Sequence, residues 1–197
     1  MPDLDEIAIH PLTPDRWADL EALFGEHGAV GGCWCMFYRL AARRYEAQRG
    51  EGNRLALKAI VDSGRVPGLL AYQANEPVAW VSVAPRSEFA RLSRSRMLRP
   101  VDNSPVWSIV CLFVRQDHRR QGVSLRLVRG AVEWAVSQGA RIIEAYPLDI
   151  ENPAYPDALA EMGFMSTFSE AGFSEVTRNS PRRPIMRYYV NRTGERP

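Results

Sequence analysis

Between Val114 and Val128 the sequence reads VRQDHRRQGVSLRLV: four arginines, a histidine and one glycine, where an apolar run ends and a helical pattern begins. A turn that feeds a helix presents backbone N–H groups with no intrahelical acceptor, at the positive end of the helix dipole. Such groups bind anions, and a glycine among them lets an anionic group approach the backbone closely. Gly122 is that glycine, with Arg119, Arg120 and Gln121 before it and Val123 and Ser124 opening the helix. This set of donors suits a diphosphate better than a single carboxylate. Neither GxxxxGK[ST] nor GxGxxG occurs, which sets aside the nucleotide-hydrolysing and dinucleotide loops. A solvated basic turn is the competing reading.

Two other groups could do chemistry. Glu144 is the only acid in the apolar stretch IIEAYPL. A carboxylate partly buried there would have a raised pKa suited to removing a proton near neutrality, and Tyr146 beside it could give one. Pairing of Glu144 with Arg141 and plain packing of Tyr146 are the alternatives. In GGCWCMFYR, Cys33 and Cys35 are too few and too close for an ordinary zinc site, so no metal is expected. Trp34, Met36, Phe37 and Tyr38 form an aromatic cluster whose plain reading is helix packing.

The elements that must position these residues follow from periodicity. Residues Glu6–His10 alternate as a strand, and Thr13 and Pro14 open a helix expected to run to Gly28. RLALKAIVDSG gives a second helix ending near Gly64, and GLLAYQANEPVAWVSV two antiparallel strands about Asn75, Glu76 and Pro77. FARLSRSRMLRPVDNSP reads as a short helix or loop. Val106–Val114, almost unbroken apolar residues of high β propensity, fits a strand covered on both faces. The amphipathic helix after Gly122 stops at Gly139, and RIIEAYPL supplies a strand parallel to the first. A short helix to Gly172 and the strands FSEVTR and IMRYYV close the chain. The expected fold is α/β of the α+β type: a mixed, mostly antiparallel central sheet with one parallel β-α-β crossover and flanking helices.

A chain of 197 residues fits one domain, read as 1–197. It has 46% hydrophobic and 24% charged residues, the usage of a soluble globular protein. A net charge of +2 is too small for the surface as a whole to bind nucleic acid or anionic lipid, so neither is an expected partner. Three cysteines and no signal-like start point to the cytoplasm.

Val106–Pro147 resembles the central motif of the GCN5-related N-acetyltransferase (GNAT) superfamily, Q/R-x-x-G-x-G/A between the fourth strand and third helix. The matching residues are Arg119, Arg120, Gln121, Gly122, Val123 and Ser124, with Ser124 in place of glycine or alanine but still small. GCWCM is similar to bacterial members of unassigned substrate, and the element order agrees over nearly the whole chain. The resemblance implies an acetyl-CoA-dependent N-acetyltransferase, with a primary amine attacking the thioester directly. It places the pyrophosphate on Gln121–Ser124, with Arg119 and Arg120 beside it, and the pantetheine arm along Leu112, Phe113 and Val114. It makes the backbone N–H near Leu112 the donor to the developing oxyanion, and Trp34, Met36, Phe37 and Tyr38 the walls of a pocket for a small-molecule or peptide amine. The tyrosine that usually serves as acid is replaced by Phe168 in FSEAGF, leaving Tyr146, Tyr155, Ser166 or Thr167 as candidates. The same absence supports the alternative, a non-catalytic acyl-CoA binder. A homodimer is a further expectation from the resemblance.

Overall fold

The structure is a computed structural model that describes residues 7–150 and 161–190. Its seven strands form one sheet in the order β1-β2-β3-β4-β5-β7-β6. The strands are β1 (Ala8–Pro11), β2 (Gly68–Gln73), β3 (Glu76–Pro85), β4 (Trp107–Val114), β5 (Ile142–Ala145), β6 (Ser174–Arg178) and β7 (Pro184–Tyr189). Every neighbouring pair is antiparallel except β4 and β5, the single parallel pair that the strand-helix-strand pattern requires.

The helices are α1 (Trp17–Phe24), α2 (Ala42–Ala47), α3 (Glu51–Asp62), α4 (Ala90–Arg94), α5 (Val123–Ser137) and α6 (Met165–Glu170). The expected first helix is shorter than its pattern. Pro14–Arg16 forms a 3-10 turn, and Thr13 receives a bond from the Arg16 side chain at 2.9 Å without capping a backbone amide. Gly25, at φ +61°, ends α1 before Gly28 is reached.

Two faces of the sheet are covered. On one, α5 lays Val123, Leu127, Val128, Ala131 and Ala135 against Leu69, Val81, Val83 and Ile109. These positions recur at helical spacing, so a single stripe of α5 enters the core. On the other face, one half holds α1 and α3 around Trp80 and Leu70. The other half packs Phe89, Leu92 and Leu98 against Val110, Tyr146 and Ile185.

α5 stops as its sequence dictates. The Ala140 amide bonds the Ala135 carbonyl at 2.9 Å while Gly139 turns left-handed at φ +89°.

Candidate active site

The site is built on the point where β4 and β5 part. Their pairing covers only Trp107↔Ile143, Ser108↔Glu144 and Ile109↔Ala145. Against β3, β4 slips register between Ser82 and Val83, so Val110 is an extra residue and the strand bends away. Beyond the bulge, Cys111–Val114 form one wall of a cleft of about 450 Å³. The opposite wall carries Glu161, Gly163, Phe164, Thr167 and Glu170. Gly163 has φ +75°, a backbone that favours glycine, and a Cβ there would stand 2.6 Å from Leu112 Cδ1 and push that side chain aside.

At the mouth of the cleft lies the arginine turn. Arg120 (φ +57°) and Gly122 (φ +80°) are both left-handed, which curls the backbone so that successive amides face one side. α5 begins at Val123 with no side-chain cap. Among the described residues, no backbone acceptor meets the amides of Gln121, Gly122, Val123 or Ser124. Arg119, Arg120, Gly122, Val123 and Ser124 all line the cleft, as do Leu112, Phe113 and Val114. Arg119 Nε also donates to the Val114 carbonyl at 3.0 Å, tying turn to strand. Gln121 is the exception: its side chain turns back to the Asp117 carbonyl at 2.8 Å and lies outside the lining. His118 lines the cleft and holds Asp117 through Nδ1 at 2.8 Å. The bonds from Arg115 and then His118 hold the Asp117 carboxyl down to about 2.

Leu112 presents its backbone as expected, but its N–H is engaged. It donates to the carbonyl of Glu161 at 2.7 Å. A thioester oxygen could use this donor only by exchanging with that carbonyl.

Glu144 and Tyr146 are not part of the cleft. Both are buried in the core behind it, at 1% and 0% exposure. Glu144 receives Arg187 Nε at 2.9 Å on one oxygen, and Arg86 Nη1 at 3.0 Å and the Tyr146 phenol at 2.7 Å on the other. The partner is not Arg141. Both oxygens are taken up by two guanidinium groups and a phenol, away from the cleft, so Glu144 is not placed to take a proton from substrate. Burial and the adjacent Glu144 carboxylate push the Tyr146 phenol well above the ordinary tyrosine range, unsuited to acid work. Arg187 continues the network with two bonds to Asp102, at 2.6 and 3.0 Å.

The four residues expected at the acceptor pocket separate into two pairs. Trp34 and Met36 are buried, with Trp34 stacked on Trp17 at 6.3 Å. Their neighbours Cys33 and Cys35 line the cleft instead, and Trp34 and Cys35 both adopt left-handed backbone. Phe37 and Tyr38 line a second pocket of about 450 Å³, with Arg91, Arg94, Arg183 and Glu161 among its other walls. Glu161 therefore borders both cavities. The Tyr38 phenol donates to its carboxylate at 3.4 Å, and Arg183 Nη2 stands 3.7 Å away. Sequence reasoning missed Glu161; its flanking run ALAEMGF carries no signal beyond a lone acid.

The Cys35 sulfur accepts a bond from Trp80 Nε1 at 3.2 Å. Burial raises its pKa, but the Cys111 thiol, the Trp80 indole and the Arg39 charge together outweigh that and bring it to about 7. Cys111, the donor of this pair, is pushed up by that bond and by burial.

Phe168 is fully buried, its ring 5.2 Å from that of Phe173. Thr167, adjacent to it, is the hydroxyl that reaches the cleft; Ser166 is not in the lining, and Tyr155 lies outside the described residues.

Solved acetyltransferases share this fold. An N-acetyltransferase from Staphylococcus aureus superposes with a TM-score of 0.55 at 9% identity, over 94% of this chain and 99% of that one. The PaiA N-acetyltransferase from Thermoplasma acidophilum in complex with coenzyme A gives 0.51 at 11% identity, over 93% and 98%. The NatC complex bound to Gag peptide and CoA gives 0.52 at 13% identity, over 94% and 99%. No curated protein matches the sequence. The profile of the Acetyltransferase (GNAT) family matches residues 34–164, and the chain belongs to that family. It is an acyltransferase whose co-substrate is acetyl-CoA. Among the described residues no helix is long and apolar enough to cross a membrane.

Proposed function

We propose that this protein transfers the acetyl group of acetyl-CoA to a primary amine by direct attack of the bound amine. The observation that carries the reading is the cleft that runs from the uncapped turn at Gly122 along Leu112–Val114 to Glu161. The backbone amides of Gln121–Ser124 and the Arg119 and Arg120 guanidinium groups hold the pyrophosphate. Leu112, Phe113 and Val114 orient the pantetheine arm along the open strand edge. Acetyl-CoA supplies an acetyl group activated as a thioester.

The Leu112 amide stabilises charge on the thioester oxygen once it exchanges its bond to the Glu161 carbonyl for that oxygen. The Glu161 carboxylate, 45% exposed, takes the proton from the incoming ammonium and passes it to solvent. No tyrosine at position 168 is needed, because a thiol with an ordinary pKa near ~8.5 leaves as thiolate without an acid. Phe37 and Tyr38 wall the acceptor pocket, while Trp34 and Met36 support its loop from behind. Glu144 and Tyr146 brace the end of β5.

The chain acts as one catalytic domain in the cytoplasm, a location supported by three cysteines that are all free. A homodimer without nucleic acid or membrane partners is the working assembly.

Calorimetric titration with acetyl-CoA tests the reading. One site per chain in the native protein, lost in Gly122→Glu while the variant still unfolds cooperatively at a slightly lower temperature, is expected. Absence of binding by the native protein at millimolar acetyl-CoA would overturn it.

A further inference from the structure

The second pocket carries a chemical preference. Three cations, Arg91, Arg94 and Arg183, border it against one carboxylate, Glu161. Arg183 is occupied: its Nη1 donates to the Tyr146 carbonyl at 3.0 Å and contacts Met162 Sδ at 2.9 Å, and its Nη2 faces Glu161. Arg91 is not. Its Nε donates to the Leu40 carbonyl at 3.2 Å, but its Nη2 is buried and has no hydrogen-bond partner. A buried guanidinium N–H without an acceptor is costly, and native proteins usually complete one with water, an ion or a ligand.

The guanidinium is also held in place. It stacks 3.9 Å above the centroid of Phe37 and 5.1 Å from that of Tyr45. A planar cation fixed on two rings, with one N–H edge unspent, matches an oxyanion. Arg94, exposed on the same rim, adds a second positive charge. At the other end Glu161 attracts a cation and also borders the donor cleft. The remaining walls are aromatic and aliphatic, with Phe37, Met97 and Leu98 among them.

We propose that the acceptor is a small amine that also carries a carboxylate, with its acid group on Arg91 and Arg94 and its amino group at Glu161. This rests on the acetyltransferase reading above. The amine nitrogen's lone pair forms the bond to the thioester carbonyl carbon, and the carbon–sulfur bond breaks with its electrons going to sulfur. Of the two protons that the ammonium loses, one leaves through Glu161 to solvent and the other ends on the coenzyme A thiol. The products are the N-acetyl amino acid and coenzyme A.

The test pairs each acid with its decarboxylated analogue, scored by mass spectrometry of the acetylated product. The pairs are leucine with isoamylamine, phenylalanine with phenethylamine, and 5-aminopentanoate with butylamine; O-phosphoethanolamine and a peptide amide with a free N-terminus complete the set. At least one acid should be acetylated with a kcat/KM at least tenfold above its partner. Arg91→Gln should raise the KM for that acid by about 10- to 100-fold, the loss of a charged hydrogen bond, with little change in kcat or in the partner amine's KM. Arg94→Gln, on the exposed rim, should act in the same direction without risk to the fold. Equal use of acids and their analogues overturns the proposal, as does preference for the phosphate or the peptide amide. So does acetyl-CoA binding with no acid acetylated. Failure of native protein to bind acetyl-CoA strikes the acetyltransferase reading instead, and the titration separates the two.

Discussion

Tyr146 donates its phenol hydrogen to Glu144 at 2.7 Å, two residues upstream, and the same oxygen of Glu144 receives Arg86. The phenol oxygen also meets Ser108 Oγ at 2.8 Å and Arg86 Nη1. β4, β5, β7 and the segment after β3 are thereby joined at one carboxylate. The network sits where β4 and β5 still pair, so it fixes the point from which they separate.

Replacing Glu144 by Gln leaves Arg86 and Arg187 short of their buried counter-charge. We expect a loss of about 3–5 kcal/mol of stability, the cost of breaking a buried ion pair, read by urea denaturation. The shape of the pH dependence of kcat should not change. A flattened acid limb would return Glu144 to the chemistry.

Phe168→Tyr restores the residue type that the family usually carries at this slot, yet it should not raise kcat. The ring is fully buried against Phe173. A hydroxyl placed there without a partner costs roughly 1–3 kcal/mol, so a lower melting temperature with unimproved turnover is the expected pair of results.

Glu161→Gln keeps shape and removes charge at the border of the two cavities. Turnover of amine should fall by roughly 100-fold, the range for losing a positioned base, while acetyl-CoA affinity in calorimetry stays within twofold. An equal loss of cofactor affinity would show that Glu161 serves the donor side instead.

Cys35 should be alkylated by iodoacetamide with a midpoint at about pH 7, below a thiol's ordinary 9.0. Mass spectrometry of the modified peptide reads this, and Cys111→Ala should move the midpoint up by removing the bond to the thiolate. Because the folded value lies below the unfolded one, the stabilisation from Cys35 is full above pH 9.0 and is lost as pH falls through about 7. Cys111 has the opposite sign: its contribution is full below 9.0 and fades as pH rises beyond it. Their combined contribution should therefore rise from about pH 7 to a maximum near 9.0 and fall beyond it, and a monotonic profile would contradict the paired assignment.

The sequence made β4, the Gly122 turn and α5 legible, since each is written in consecutive residues: an apolar run, a lone glycine among donors, a helical stripe. Its resemblance to the family then pointed to the residues beside the cofactor. What it could not disclose depends on chain segments meeting from afar. Glu144 reads locally as an acid among apolar residues, but its partners Arg86 and Arg187 lie 58 and 43 positions away. Tyr38 finds Glu161 across 123 positions. At GGCWC, Cys33 and Cys35 rather than Trp34 and Met36 line the cleft, in a segment with two left-handed residues that are not glycine, which no periodicity announces.

The parting of β4 from β5 after three residue pairs has one more effect. Sheets with open edges invite pairing with other chains, and proteins usually blunt those edges with charge, proline or a covering element. In this fold the parted strands are met by the segment 161–165: the Leu112 amide bonds the Glu161 carbonyl at 2.7 Å, and past β5 the Leu148 amide bonds the Gly163 carbonyl and the Met165 amide the Leu148 carbonyl, both at 2.8 Å. At these positions the split is closed by the chain's own backbone rather than left as a template on which a second chain could add a strand.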